Sequence, residues 1–100
     1  MSYYVVIFTS KLVASDREYQ EMNDALYGAL AKQQGYISHQ SFRNDQGIGC
    51  SISYWESLEE LKKWKELPLH LKAQQLGREK WYENYQVKIC EVQKEYKWEK

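Results

Sequence analysis

Tyr36-Ile37-Ser38-His39-Gln40-Ser41-Phe42-Arg43, then Asn44-Asp45-Gln46-Gly47, then Ile48-Gly49-Cys50-Ser51-Ile52-Ser53-Tyr54-Trp55 is the stretch on which the fold turns. Its first eight residues alternate weakly between apolar and polar. The middle four are a turn signal, and the last eight place Ile48, Cys50, Ile52 and Tyr54 on one face. The whole reads as an antiparallel hairpin.

Working outward, a helical pattern lies on either side. Upstream, Ser15-Asp16-Arg17-Glu18 reads as a capping box, and Tyr19, Met22, Leu26, Ala29 and Leu30 recur at helical spacing toward Gly35, the residue expected just past a helix end. Downstream, Ser57-Leu58-Glu59-Glu60 is a second capping box, opening a helix that turns Leu58, Leu61 and Trp64 inward. Pro68 interrupts it, and a further helical stretch runs from Pro68 to Lys80, followed by an aromatic connector from Trp81 to Tyr85. The outermost segments are strands, Tyr3 to Lys11 and Gln86 to Glu95, with a short tail from Tyr96 to Lys100. The order β-α-β-β-α-β predicts an α+β fold, the ferredoxin-like split βαβ with an antiparallel sheet, as one domain over residues 1–100.

Such a sheet carries helices on one face only. The first strand nevertheless puts Tyr4, Val6 and Phe8 on one side and Val5 and Ile7 on the other, so both of its faces call for burial. A second copy of the sheet is the natural cover, which predicts a homodimer with the tail from Tyr96 to Lys100 reaching toward the partner.

Composition narrows the function. Fourteen basic residues balance fourteen acidic ones, which argues against a nucleic-acid surface and against a polybasic membrane patch. No apolar run approaches the ~20 residues of a membrane span, and the start at Met1 lacks the basic region of a signal peptide, so a cytoplasmic protein is expected. Cys50 and Cys90 lie in separate strands and should be ~9–10 Å apart across the sheet, too far for a disulfide, and both should be reduced and shielded. Two His and no Cys-x-x-Cys offer no metal set. Aromatic residues make 15% of the chain, and so many rings belong in a core, an interface or the wall of an apolar ligand pocket.

Each candidate for chemistry has a plainer reading beside it. Trp64 fits a core position or a pocket wall. His70, just after Pro68, fits a packing residue, a ligand or a proton relay. Arg78 can pair with Glu79 or Glu83, or meet a developing phenolate. Trp81, Tyr82 and Tyr85 read as core and interface anchors, and His39 as an interface or surface residue.

The run Ser53-Tyr54-Trp55-Glu56-Ser57-Leu58-Glu59-Glu60-Leu61-Lys62-Lys63-Trp64-Lys65, His70 with Ala73 and Gln74, and Gly77-Arg78 with Trp81-Tyr82 together resemble the antibiotic biosynthesis monooxygenase family. The resemblance implies a dimeric α+β barrel with a pocket between each sheet and its helices. It further implies a monooxygenase that needs no flavin or metal and acts on a small hydrophobic aromatic or quinol-like compound. The pocket is expected between the sheet and segment 57–80, walled by Trp64, Phe8, Leu76 and Trp81, with His70 or Arg78 as the catalytic polar contact at its mouth. The haem-degrading branch supplies the alternative, a dimer that binds haem or another apolar ligand. Trp64 matches that branch's helix Trp. The first strand lacks that branch's Asn, with Thr9 and Ser10 in the neighbourhood, and His70 lies one turn before its axial His position, near Gln74.

Overall fold

A computed structural model describes residues 2–100, so Met1, where the leader-like run would begin, lies outside the described residues. The elements are β1 (Tyr3–Leu12), α1 (Arg17–Leu30), β2 (Tyr36–Arg43), β3 (Ile48–Trp55), α2 (Leu58–Lys65), α3 (Pro68–Leu76), a single π-helical turn (Gly77–Trp81) and β4 (Tyr82–Val92). The strands form one antiparallel sheet in the order β2-β3-β1-β4. This is the α+β, ferredoxin-like arrangement expected from the element order.

Local chemistry explains most boundaries and corrects several. The first helix starts one residue later than the Ser15 reading: Asp16 Oδ1 accepts from the Tyr19 amide at 2.7 Å, so the aspartate is the cap. A carboxylate at that position also favours the positive end of the helix dipole. At α2 the expected Ser57 cap is present, its Oγ accepting from the Glu60 amide at 3.2 Å and donating to Glu60 Oε1 at 3.1 Å. Helix α1 stops at Leu30, and Gly35, at φ +84°, serves the turn into β2 instead of ending the helix directly. Pro68 occupies the first turn of α3, where its missing amide costs nothing.

The largest departure lies after Leu76. The helix does not continue to Lys80. It widens into the π turn, and β4 begins at Tyr82, inside the stretch read as a connector. The reason is pairing: β1 runs on to Leu12, which lies opposite Tyr82 after a register shift between Lys11 and Leu12. The Val13 amide then donates to the Trp81 carbonyl at 2.8 Å. The other end of β4 is Val92, so the tail begins earlier than predicted.

On the helical side, Leu30, Trp55, Leu61 and Trp64 form the core, with the Trp55 and Trp64 rings stacked at 6.2 Å and Tyr36 edge-on to Trp55 at 6.0 Å. Cross-strand partners share a face, so the register places Val5, Ile7, Cys50, Ile52, Tyr54 and Cys90 together on the opposite side. No helix among the described residues covers that side, and Phe42 and Ile48 at its end are largely exposed. Both cysteines are free, but the predicted spacing and shielding need correction. Cys50 pairs with Thr9 and Cys90 with Val5, so four residues along β1, ~13 Å, add to the two strand spacings. Cys90 is exposed on the single chain. No helix among the described residues is long and apolar enough to cross a membrane.

Candidate functional site

Between the sheet and the helices lies a half-open cavity of about 670 Å³. Its construction follows from the strand period. Residues two apart on a strand share a face, so Val6 and Phe8 of β1, His39 and Ser41 of β2, Ser51 and Ser53 of β3, and Tyr85 and Val87 of β4 all reach the cavity floor. From above, α1 contributes Tyr19, Asn23, Leu26 and Tyr27, while α2 and α3 contribute Leu61, Trp64, His70, Ala73 and Gln74. Gly77 and Tyr82 also line it.

At the helical wall, Trp64 is only 7% exposed and meets the His70 ring edge-on at 4.9 Å. Gln74 Nε2 lies 2.7 Å from His70 Nδ1 and also donates to the Lys65 carbonyl at 3.1 Å. A donating amide fixes Nδ1 as an acceptor and leaves the proton on Nε2. Burial, with the Lys65 charge nearby, holds the His70 pKa below the ordinary imidazole value. His70 is therefore a neutral ring with one N–H to offer a ligand.

At the β4 side, Tyr82 is edge-on to Phe8 at 5.6 Å and to Tyr19 at 6.3 Å. Burial, reinforced by Tyr19, raises its pKa well above the ordinary phenol value, so the ring stays uncharged. Gly77 makes room for it: a Cβ there would lie 2.9 Å from Tyr82 Cδ2.

Of the six residues expected at the pocket, Phe8, Trp64 and His70 line this cavity, and three do not. Trp81 is 2% exposed and edge-on to Tyr19 at 5.3 Å, a second core anchor outside the cavity. Leu76 is half-buried and also off the wall. Arg78 is exposed, its Nη1 donating to Tyr85 Oη at 3.2 Å, so it reaches the rim only through that tyrosine. The π turn begins at Gly77, so it re-aims Arg78 and Trp81 from where a continuous α-helix would carry them, whereas Leu76 lies before it in α3.

The polar floor does not show in the sequence of any one strand. His39, read as a surface or interface residue, lines the cavity with its ring stacked on Tyr27 at 4.8 Å and 14°. Its Nδ1 lies 2.6 Å from Tyr36 Oη. Tyr27 Oη donates to Ser41 Oγ, which lies 2.9 Å from Ser51 Oγ, and Trp55 Nε1 donates to Ser53 Oγ. A signal was available: folding the hairpin about Asn44–Gly47 brings Ser41 opposite Ser51 and His39 opposite Ser53, a polar band where apolar residues would be expected.

Among the described residues no three His, Cys, Asp or Glu side chains gather as a metal set. The split βαβ sheet with a cavity beneath its helices is the fold that the antibiotic biosynthesis monooxygenases share. Over residues 3–95 the chain matches the family described as monooxygenase af470-like, and it belongs to that family. It is 33% identical over 93 residues to the uncharacterized protein YqjZ of Bacillus subtilis (strain 168), covering 93% of this chain and 82% of that protein. Among solved structures it is similar to SnoaB of Streptomyces nogalater, a cofactor-independent oxygenase, with a TM-score of 0.78 at 12% identity over 93% of this chain and 95% of that one. PA3566 of Pseudomonas aeruginosa aligns with a TM-score of 0.72 at 18% identity over 96% of this chain and 97% of that one. At these identities the structural likenesses establish the fold.

Proposed function

We propose that the chain is a cytoplasmic, homodimeric monooxygenase that oxidises a small hydrophobic aromatic or quinol-like compound without flavin, metal or haem. The observation that carries this reading is the cavity of about 670 Å³, with Trp64, Phe8 and Tyr82 as its aromatic surfaces. It accommodates a bicyclic or tricyclic ring system, and stacked rings supply binding area at little entropic cost. Family membership supports the oxygenase chemistry, and the cofactor-independent activity of SnoaB supports the unaided form of it. In that chemistry an electron-rich, deprotonated substrate supplies all the electrons. A ring methylene becomes a carbonyl, one oxygen atom of O2 enters the product, and the other leaves as water with the two methylene hydrogens.

The uncovered sheet face with Ile7, Ile52 and Tyr54 supports the homodimer, since a second copy is the simplest cover for it. The alternative, a haem-binding dimer without turnover, fits the donor set poorly. Gln74 donates to His70 Nδ1, which leaves an N–H and no lone pair at Nε2 for iron.

Oxygen-electrode measurements on a panel of tricyclic phenols bearing a ring methylene test the reading. Consumption above autoxidation, reduced by Trp64→Phe and by His70→Ala, is expected. Rates equal to autoxidation across the panel, or a Soret band on haemin titration that His70→Ala removes, would overturn it.

A further inference from the structure

Two polar groups of opposite character face the cavity, and only the one at the helical wall was expected. The one on the floor is built from the hairpin. Tyr27 donates its proton to Ser41, and the Ser41 and Ser51 hydroxyls share a hydrogen bond at 2.9 Å that either can donate; when Ser41 donates it, the Ser51 proton is free to meet a ligand. Ser53 accepts the Trp55 indole N–H at 2.9 Å and likewise keeps its proton. His39 lies directly across the ladder from Ser53. Its Nδ1 is engaged by Tyr36 Oη at 2.6 Å, and among the described residues no side chain meets Nε2.

We propose that His39, Ser51 and Ser53 form a phenol-binding subsite in which His39 takes the substrate hydroxyl proton and the serines hold the resulting phenolate oxygen. This deepens the function proposed above and rests on it. The step balances within the site: the phenol O–H bond breaks, its electron pair stays on oxygen, and the proton passes to Nε2. In this step the neutral ring carries its own proton on Nδ1 and donates it to Tyr36 Oη, which leaves Nε2 the acceptor, and the imidazolium keeps that hydrogen bond. Ser51 and Ser53 turn their free protons to the phenolate, which is electron-rich enough for oxygen chemistry. His70 cannot take that proton at Nε2, where it already carries one. It can instead offer a hydrogen bond to another polar atom of the ligand. Tyr36 acts through His39 and is a positioning residue.

The test uses para-nitrophenol, whose phenolate is coloured, against para-nitroanisole, which has no hydroxyl proton. Binding is followed by calorimetry and absorption about one unit below the phenol's own pKa. The wild type is expected to bind the phenol about tenfold or more tighter than the ether, the worth of one hydrogen bond to a charged oxygen, and to show the phenolate band. His39→Gln should remove the band, and Ser51→Ala should lose most of the tenfold preference. Tyr36→Phe should weaken the band, and all three should bind para-nitroanisole as the wild type does. If these variants keep band and preference while His70→Ala loses them, the subsite lies at the helical wall; the inference fails and the oxygenase reading stands. If neither probe binds the wild type, both are overturned.

Discussion

Trp64 holds the helical wall and the core at once. Its ring is stacked on Trp55 and also faces the cavity, so the two readings open in the sequence are both true. Trp64→Ala should therefore cost about 3–5 kcal/mol of stability, a large share of a domain's ~5–15 kcal/mol, and confound any binding measurement. Urea denaturation checks this, and a loss under about 1 kcal/mol would place the ring outside the core. His70 gives a second residue-scale expectation. Its pKa is lowered in the folded protein, so between the unfolded value of ~6.5 and the lower folded one the unfolded chain binds more protons. This contribution to stability is intact above pH ~6.5 and falls as the pH drops below it. Urea midpoints should fall more between neutral and mildly acidic pH for the wild type than for His70→Gln. Equal falls would mean that His70 is solvated.

At the scale of elements, the π turn decides which residues reach the cavity. Gly77 has ordinary helical dihedrals, so any effect of a side chain there is steric. Gly77→Ala should push Tyr82 and cost about 1–3 kcal/mol, with a matching loss of apolar ligand affinity. Thermal denaturation and a fluorescence titration measure both, and unchanged values would show that Tyr82 moves freely. The same turn marks where sequence reading stops. The hairpin, both of its strand limits and the Ser57 cap were legible because each rests on local signals, namely period, turn residues and a capping pair. The end of α3 was not, because Arg78, Glu79 and Lys80 are good helix formers and the break is imposed by pairing between Leu12 and Tyr82, some seventy residues apart. Arg78 and Trp81 therefore miss the cavity to which a continuous helix would lead them, while Leu76, still within α3, lies off its wall. His39 and the serines were missed for the complementary reason. Each is unremarkable on its own strand, and only the cross-strand register joins them.

For the whole molecule, one sheet face lies beneath the helices and the other is bare. Ile7 is the better probe of the bare face, since Val5 is already 8% exposed within one chain and a charge there would disturb the monomer itself. Sedimentation at micromolar concentration should give a dimer for the wild type and a monomer for Ile7→Asp, because an unpaired carboxylate in an apolar interface is costly. A monomeric wild type would contradict the homodimer. The central claim is that the cavity lets a reduced aromatic ring react with oxygen unaided. Its most direct test is turnover under isotopically labelled O2 with chelator-treated, flavin-free and haem-free protein, followed by mass spectrometry. The account predicts one labelled oxygen atom in each product molecule and the other in water. Product labelled only from solvent, or formed only when flavin, metal or haem is restored, would contradict it.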